Sequence, residues 1–197
     1  SYEEFAFKFQ DYDKVNYITS SGTQYINSGI IPTGKTGFKI VASSSNVSSD
    51  LVWLGVGNGS GHRFLIGNYN NILYLGYNNL NYTTYSKSNI SANQDYNISA
   101  NYMNDRSLIV DGETITNELP TLTSFSLPFS IFSYNNNSSY SNYSSISLKE
   151  FSITDGKVLI RKYIPCKHKI NVNDIGLCDL VSGQFFGNNG TGTFTYN

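Results

Sequence analysis

Charge is scarce in this chain. Of 197 residues only 14% are Asp, Glu, Lys or Arg, and 13 basic side chains face 14 acidic ones for a net charge of -1, where globular proteins carry about a quarter charged residues. Without a basic excess there is no electrostatic term to hold a phosphate backbone, so a nucleic-acid partner is not expected. Long apolar runs are missing as well: nothing approaches the roughly 18 residues of a membrane helix, and no charged-then-apolar leader opens the sequence, so membrane insertion is not expected. Histidine occurs only as His62 and His168, neither at ligand spacing with a cysteine, and there is no Gly-x-Ser-x-Gly elbow or phosphate loop. Zinc chemistry and triad hydrolysis are thereby set aside.

What fills the gap is Asn, Ser, Thr and Tyr, with 16 Tyr and 12 Phe. A polar but uncharged surface rich in rings suits hydrogen bonding to hydroxyl groups and stacking on the apolar faces of sugars. AT-rich coding yields a similar composition, so both readings stay open on these numbers alone.

Residues 1–15 differ from the rest. Glu3, Glu4, Asp11 and Asp13 interleave with Phe5, Phe7, Phe9 and Tyr12 without turn signals, which reads as a lead-in arm or connector whose alternation suits an added edge strand. Such an arm could also carry a homo-oligomer contact. The chain starts at Ser1 and reads as a piece of a longer protein.

From residue 16 to 197 the pattern is strand and turn at intervals of about ten residues, the all-β signature. Strands are predicted over 38–42, 51–56, 63–67, 72–77, 96–103, 107–110, 113–116, 129–134, 146–153 and 157–166. Turns fall at Asn68-Tyr69-Asn70-Asn71, Asp111-Gly112 and Asp155-Gly156, and a low-complexity loop fills 135–145. That many strands must bury one face against a second sheet, which predicts a two-sheet antiparallel jelly-roll sandwich.

Two end segments make a matched pair. One runs from Tyr17 through Tyr25-Ile26-Asn27-Ser28-Gly29-Ile30; the other comprises Ile164-Pro165-Cys166, Asp179-Leu180-Val181-Ser182-Gly183 and Gly190-Thr191-Gly192-Thr193-Phe194. With Leu108-Ile109-Val110-Asp111-Gly112 and Ile153-Thr154-Asp155-Gly156-Lys157, they resemble the concanavalin A-like lectin/glucanase superfamily, and within it the laminin-G-like jelly-roll modules of bacterial surface and phage tail proteins. The resemblance implies a recognition domain at residues 16–197, placed outside the cell, on a cell surface or on a virion tail. In that family the Ile-Pro-Cys cysteine usually stands alone and an aromatic takes the place of Cys178. Two buried free thiols are therefore expected at Cys166 and Cys178, with a disulfide as the alternative.

Catalytic members of the superfamily cleave glycans with carboxylates at alternate strand positions, because alternate residues share a sheet face. This chain has no such run. Asp11 with Asp13, and Asp111 with Glu113 across a turn glycine, are explained by solubility and turn chemistry, so no catalytic residue and no enzyme is expected. No cofactor is expected either. Structural calcium, which family jelly rolls often hold, stays open through Asp50, Asp95 or Asp174.

Glycan recognition needs a flat ring with amide, hydroxyl or guanidinium groups at its edge. Val52, Leu54 and Val56 read as a core face, which puts Trp53 on the other face as a stacking platform, unless a loop covers that face and Trp53 simply packs there. Tyr134, Asn135, Tyr140 and Tyr143 offer three rings among amides and hydroxyls, a mixture that binding loops use and that a disordered surface loop would share. Asn58, His62, Arg63, Tyr77 and Tyr82 complete the candidate set, provided the loops gather at one end. Lys157, Arg161, Lys162, Lys167, His168 and Lys169 read as edge-strand charges that discourage further pairing, with an anionic-glycan site as the second reading.

A non-catalytic carbohydrate-recognition or adhesion module with a cell-surface glycan as partner is the expectation. A structural or oligomerising piece of a fibre or adhesin is the alternative, and a glycoside hydrolase ranks third.

Overall fold

The computed structural model describes residues 1–59, 61–77, 84–101, 106–122 and 124–197. These residues form one short helix and nineteen strands. The chain begins with α1 (Tyr2–Lys8), β1 (Tyr12–Lys14), β2 (Ile18–Thr19), β3 (Ile26–Asn27), β4 (Thr36–Ser44), β5 (Leu51–Gly57), β6 (Arg63–Tyr69) and β7 (Ile72–Tyr77). Next come β8 (Thr84–Ser88), β9 (Tyr96–Asn101), β10 (Ser107–Val110), β11 (Glu113–Thr116), β12 (Ser130–Ile131), β13 (Tyr134–Asn136) and β14 (Ser139–Ser141). It ends with β15 (Ile146–Asp155), β16 (Val158–His168), β17 (Ile175–Asp179), β18 (Phe185–Phe186) and β19 (Thr195–Tyr196).

Two sheets result. The larger runs β11-β10-β9-β4-β15-β16-β17-β18, with β1 added to β16 and the β2/β19 pair added to β15. The smaller runs β14-β13-β5-β6-β7-β8, with β12 beside β5 and β3 beyond β12. Every ladder is antiparallel except β13 on β5, where Tyr134 lies opposite Gly55 in parallel register. This is a two-sheet β-sandwich of jelly-roll type.

Strand periodicity builds the core. Phe38, Ile40 and Ala42 of β4, Ile98 and Ala100 of β9, and Phe151 and Ile153 of β15 turn inward against Leu54, Val56, Phe64, Ile66, Leu73 and Leu75 of the smaller sheet. A file of rings crosses it, with centroids 5.8 Å apart for Phe64 and Phe129, 6.0 Å for Phe129 and Phe151, and 5.6 Å for Phe151 and Tyr163. Each buried side chain of this size stabilises the fold by roughly 1.5–3 kcal/mol. Three hairpins close through two residues at positive φ: Asn70-Asn71 (49° and 61°), Asp111-Gly112 (51° and 81°) and Asn137-Ser138 (54° and 70°). That geometry matches the twist of the flanking strands and suits Asn, Asp and Gly.

The end segments meet. Tyr196 and Thr195 pair with Ile18 and Thr19, Asn189 N donates to Tyr25 O at 2.8 Å, and Phe194 inserts its ring 4.8 Å from Phe132 in the core.

Four expectations are corrected. Residues 129–134 are not one strand: fully buried Phe132 sits at φ 72°, and the chain reverses there from antiparallel pairing with β5 through β12 to parallel pairing through β13. The segment 135–145 is not a plain loop either, since it contains the β13–β14 hairpin. Within the arm, residues 2–8 are helical rather than extended. Ser1 Oγ caps Glu4 N at 3.2 Å, acids occupy the first turn and Lys8 the last, and Phe5 and Phe9, four apart, share one helical face. Only Tyr12–Lys14 pair as a strand, on β16. Lastly, Cys166 and Cys178 form a disulfide with their α-carbons 6.1 Å apart. Phe5 and Phe9, 3% and 4% exposed, pack on it with Leu180.

The cationic stretch is also reassigned. Strand β16 lies between β15 and β17 and is no edge. Lys167 pairs with Asp13 at 3.1 Å, Lys169 N donates to Asp11 O at 2.8 Å, and Arg161 lies 3.6 Å from buried Asp179. Lys167 through its ammonium group and Lys169 through its backbone thus tie the N-terminal arm to the C-terminal hairpin, while Arg161 serves β17.

Candidate functional site

On the smaller sheet, core-facing residues alternate with outward ones: Leu54 and Val56 with Gly55 and Gly57, Phe64 and Ile66 with Arg63, Leu65 and Gly67, Leu73 and Leu75 with Ile72, Tyr74 and Gly76. Four outward positions on adjacent strands are thus glycines. Larger side chains lie flat over them. A β-carbon on Gly57 would stand 1.9 Å from the Tyr134 hydroxyl, one on Gly67 3.0 Å from the Tyr74 hydroxyl, and one on Gly76 2.9 Å from Arg63 Nε. On Gly55 it would meet Leu65 Cβ at 2.6 Å and the Tyr134 ring at 3.1 Å.

The result is an open shelf of about 390 Å³ bordered by Asp50, Arg63, Tyr69, Ile72, Tyr74 and Ser86. Tyr74 donates its hydroxyl proton to Asp50 Oδ1 at 2.8 Å. Burial first, and then the Asp50 carboxylate, push its phenol well above the ordinary tyrosine range, so it stays a neutral donor. Arg63 is close enough to temper that shift, and Tyr134 adds to it. The shelf therefore combines ring faces, a guanidinium, a carboxylate and hydroxyls on a rigid sheet.

Of the residues read from the sequence, Arg63 borders the shelf, and Tyr134 lies beside it over Gly55 and Gly57, close enough to act on Tyr74. Asn58 and His62 stand at the end of the β5–β6 connection, where Asn58 N donates to His62 O at 3.2 Å. The neighbouring Gly59 N donates to Asn136 Oδ1 at 3.1 Å, tying that connection to the β13–β14 turn. Tyr82 lies outside the described residues, and of Tyr77 only the backbone in β7 is described.

Trp53 is not a platform. The β5–β6 register slips between Val52 and Leu54, which turns Trp53 into the core and leaves Val52 outside against Gly55. Trp53 is fully buried and donates Nε1 to Asn68 Oδ1 at 2.7 Å. Asn135 is buried too: its Nδ2 donates to Pro128 O at 2.8 Å and its Oδ1 accepts from Ser138 N at 3.1 Å. The hairpin also divides the tyrosines. Asn135 and Tyr140 are opposite one another and share a face, whereas Tyr134 points the other way. Tyr140 stacks on Tyr25 with centroids 4.1 Å apart, and Tyr143 lies 6.2 Å from the same ring.

Tyr69, Ile72, Tyr74 and Ser86 were not singled out from the sequence, and Asp50 only as a calcium candidate. The signal for them was the spacing of Gly55, Gly57, Gly67 and Gly76 at outward strand positions.

The carboxylates considered for other chemistry are dispersed. Asp13 pairs with Lys167 and Glu113 with Lys87, and Asp111 Oδ1 accepts from Asn97 N at 2.8 Å. Of the calcium candidates, Asp50 holds Tyr74, Asp95 pairs with Lys149, and Asp174 accepts from Asn171 Nδ2 at 2.9 Å. Among the described residues no three His, Cys, Asp or Glu side chains converge as metal ligands. No described helix is long and apolar enough to cross a membrane.

No protein-family model and no curated protein matches the chain. Solved structures do. A protein from Bacteroides ovatus ATCC 8483 proposed to bind carbohydrate superposes with a TM-score of 0.60 at 11% identity, over 93% of this chain and 60% of its own. The CBM40 module of the Ruminococcus gnavus IT-sialidase, bound to α2,3-sialyllactose, superposes with a TM-score of 0.50 at 11% identity, over 74% of this chain and 89% of its own. At such identity the likeness is one of fold: the chain shares the β-sandwich of these proteins.

Proposed function

We propose that the protein is a non-catalytic carbohydrate-recognition module that binds a glycan on the glycine-floored shelf. The observation that carries this reading is the set of outward glycines, which lower the floor so that Tyr134, Tyr74 and Arg63 lie along it. Tyrosine rings present apolar faces to sugar C–H groups, while Arg63, Asp50 and Ser86 supply donors and acceptors for hydroxyls. Among the described lining residues Asp50 is the one carboxylate, and glycoside hydrolysis needs two. The two sandwiches of similar fold support the reading, one being bound to sialyllactose and the other proposed to bind carbohydrate. The finer placement is a laminin-G-like module of the concanavalin A-like superfamily, carried by a larger surface or phage tail protein and working outside the cell.

The test is a glycan array followed by calorimetry on the best sugar. Tyr74→Ala and Tyr134→Ala are each expected to weaken binding by about 1–3 kcal/mol. Silence across neutral and acidic surface polysaccharides, or binding that ignores both changes, would overturn the assignment. The alternative of an oligomerising fibre domain has lost most of its motivation, because Phe5 and Phe9 are buried within their own chain. Tyr2 and Phe7, 74% and 77% exposed, are what remains of it.

A further inference from the structure

On the opposite side of the sandwich a trough of about 770 Å³ runs between α1 and the outer face of the larger sheet. It opens where β16 changes neighbours, pairing with β15 up to Tyr163 and with β1 from Cys166 onward. Among the described residues its lining includes Lys14, Lys39, Lys149 and Lys162 against one acid, Glu150. Lys149 pairs with Asp95 and lies 5.9 Å over the Tyr17 ring. Lys14, Lys39 and Lys162 are exposed and form no ion pair among the described residues. In a chain of net charge -1, this is a local concentration of positive charge.

Register fixes part of its geometry. Ser152 is paired with Lys39 of β4 on one side and Lys162 of β16 on the other, so the three form one cross-strand row with a hydroxyl between two ammonium groups. Two strand spacings separate the lysine backbones by roughly 10 Å, about one Debye length at moderate salt, so one anionic ligand feels both charges.

We infer that this trough is a second glycan site, specific for a polysaccharide with anionic sugar residues, carboxylated or sulfated. Lysines alone would accept any polyanion. Glu150, with the Ser152 hydroxyl, selects a ligand that also brings hydroxyl donors, and it repels the continuous phosphates of a nucleic acid. The shelf and the trough lie on different sheets, so this inference does not rest on the shelf reading.

Binding of polygalacturonate, dextran sulfate, neutral dextran and poly(dT) to the whole chain tests it. At least one acidic polysaccharide is expected to bind, and which one distinguishes carboxylate from sulfate. The affinity should fall as ionic strength rises, and neutral dextran and poly(dT) should bind at least about tenfold more weakly. The double variant Lys39→Glu with Lys162→Glu is expected to lose about tenfold or more in affinity. A charge-matched control, Lys35→Glu with Lys157→Glu, should stay within about twofold. Thermal unfolding checks that the first variant folds, and Lys39→Gln with Lys162→Gln repeats the test with less perturbation. Equal losses in test and control variants, poly(dT) binding as tight as the polysaccharide, or no binding of either acidic polymer would overturn the inference. Loss of acidic-polymer binding in Arg63→Ala with Lys39→Glu/Lys162→Glu unaffected would move the anion to the shelf, ending this inference while sparing the shelf assignment.

Discussion

Trp53 Nε1 donates to Asn68 Oδ1 at 2.7 Å, and both residues are fully buried. Asn68 spends its amide hydrogens on Asn46 O and Ser49 O, each at 3.0 Å, so one side chain ties the indole to the loop that follows β4. Trp53→Phe leaves the Asn68 oxygen buried without a donor and is expected to cost about 1–3 kcal/mol. Asn68→Ala strands the indole N–H and two carbonyls, with an expected cost of about 2–4 kcal/mol. Urea unfolding checks both. The chain has one tryptophan, so for the asparagine variant its emission reports the transition directly.

The disulfide carries a second expectation. Cys166 and Cys178 are 12 residues apart, and their bond tethers β16 to β17 beneath α1. Closing a loop of that length restricts the unfolded chain by about 3 kcal/mol in the entropy model. Cys166→Ser with Cys178→Ser, or reduction of the native protein, should lower stability by about 2–4 kcal/mol. Phe5 and Phe9 rest on the same sulfurs, so faster proteolysis within residues 1–15 should accompany the loss. Unchanged urea midpoints with and without reductant would contradict it.

Asp179 is a third fixed point. Its Oδ1 accepts from Lys162 N at 2.8 Å and Val181 N at 3.1 Å, and its Oδ2 from the Ser182 hydroxyl at 2.6 Å and Ser182 N at 3.1 Å. A fully buried carboxylate that organises four donors is costly to remove, and Asp179→Ala should destabilise by about 3–5 kcal/mol. Asp179→Asn keeps two acceptor lone pairs on one oxygen but turns the other into a donor facing donors. It should recover only part of the loss in the same unfolding assay.

The strand and turn pattern was readable because it depends on neighbours in sequence: Asn70-Asn71 and Asp111-Gly112 set positive φ locally, and alternation from Phe38 to Ala42 needs no distant partner. The end segments were readable as a pair only through the family resemblance, because the pairing of Tyr196 with Ile18 that joins them is long-range in sequence. What escaped depends on single-residue slips. One extra residue between Val52 and Leu54 reverses which side chain enters the core, and no propensity marks it. Phe132 at φ 72° is contrary to the preference of a bulky side chain. The contacts that hold it there, Phe132 N to Trp53 O at 2.7 Å and the ring against Phe194, come from residues 79 before and 62 after. In the arm, Phe5, Phe7 and Phe9 fit period two while Phe5 and Phe9 also fit a helix. The buried disulfide beneath them, absent from any local pattern, decides the matter.

The glycine floor separates binding from folding. On Gly57 an added methyl collides with the Tyr134 hydroxyl at 1.9 Å, the far end of a ring that can swing aside, and its backbone is not in the left-handed region. Gly57→Ala should therefore keep its melting temperature within a few degrees of the wild type while displacing Tyr134 and weakening glycan binding by about tenfold. On Gly67 the same methyl meets Leu51 O at 2.3 Å, a backbone atom held in the β5–β6 ladder, so Gly67→Ala should cost about 1–3 kcal/mol of stability. Calorimetric binding beside thermal unfolding for both variants reads the contrast. If Gly57→Ala binds sugar as the wild type does, the position of Tyr134 over the floor is irrelevant to the ligand, and the shelf loses the feature that sets it apart from an ordinary sheet face.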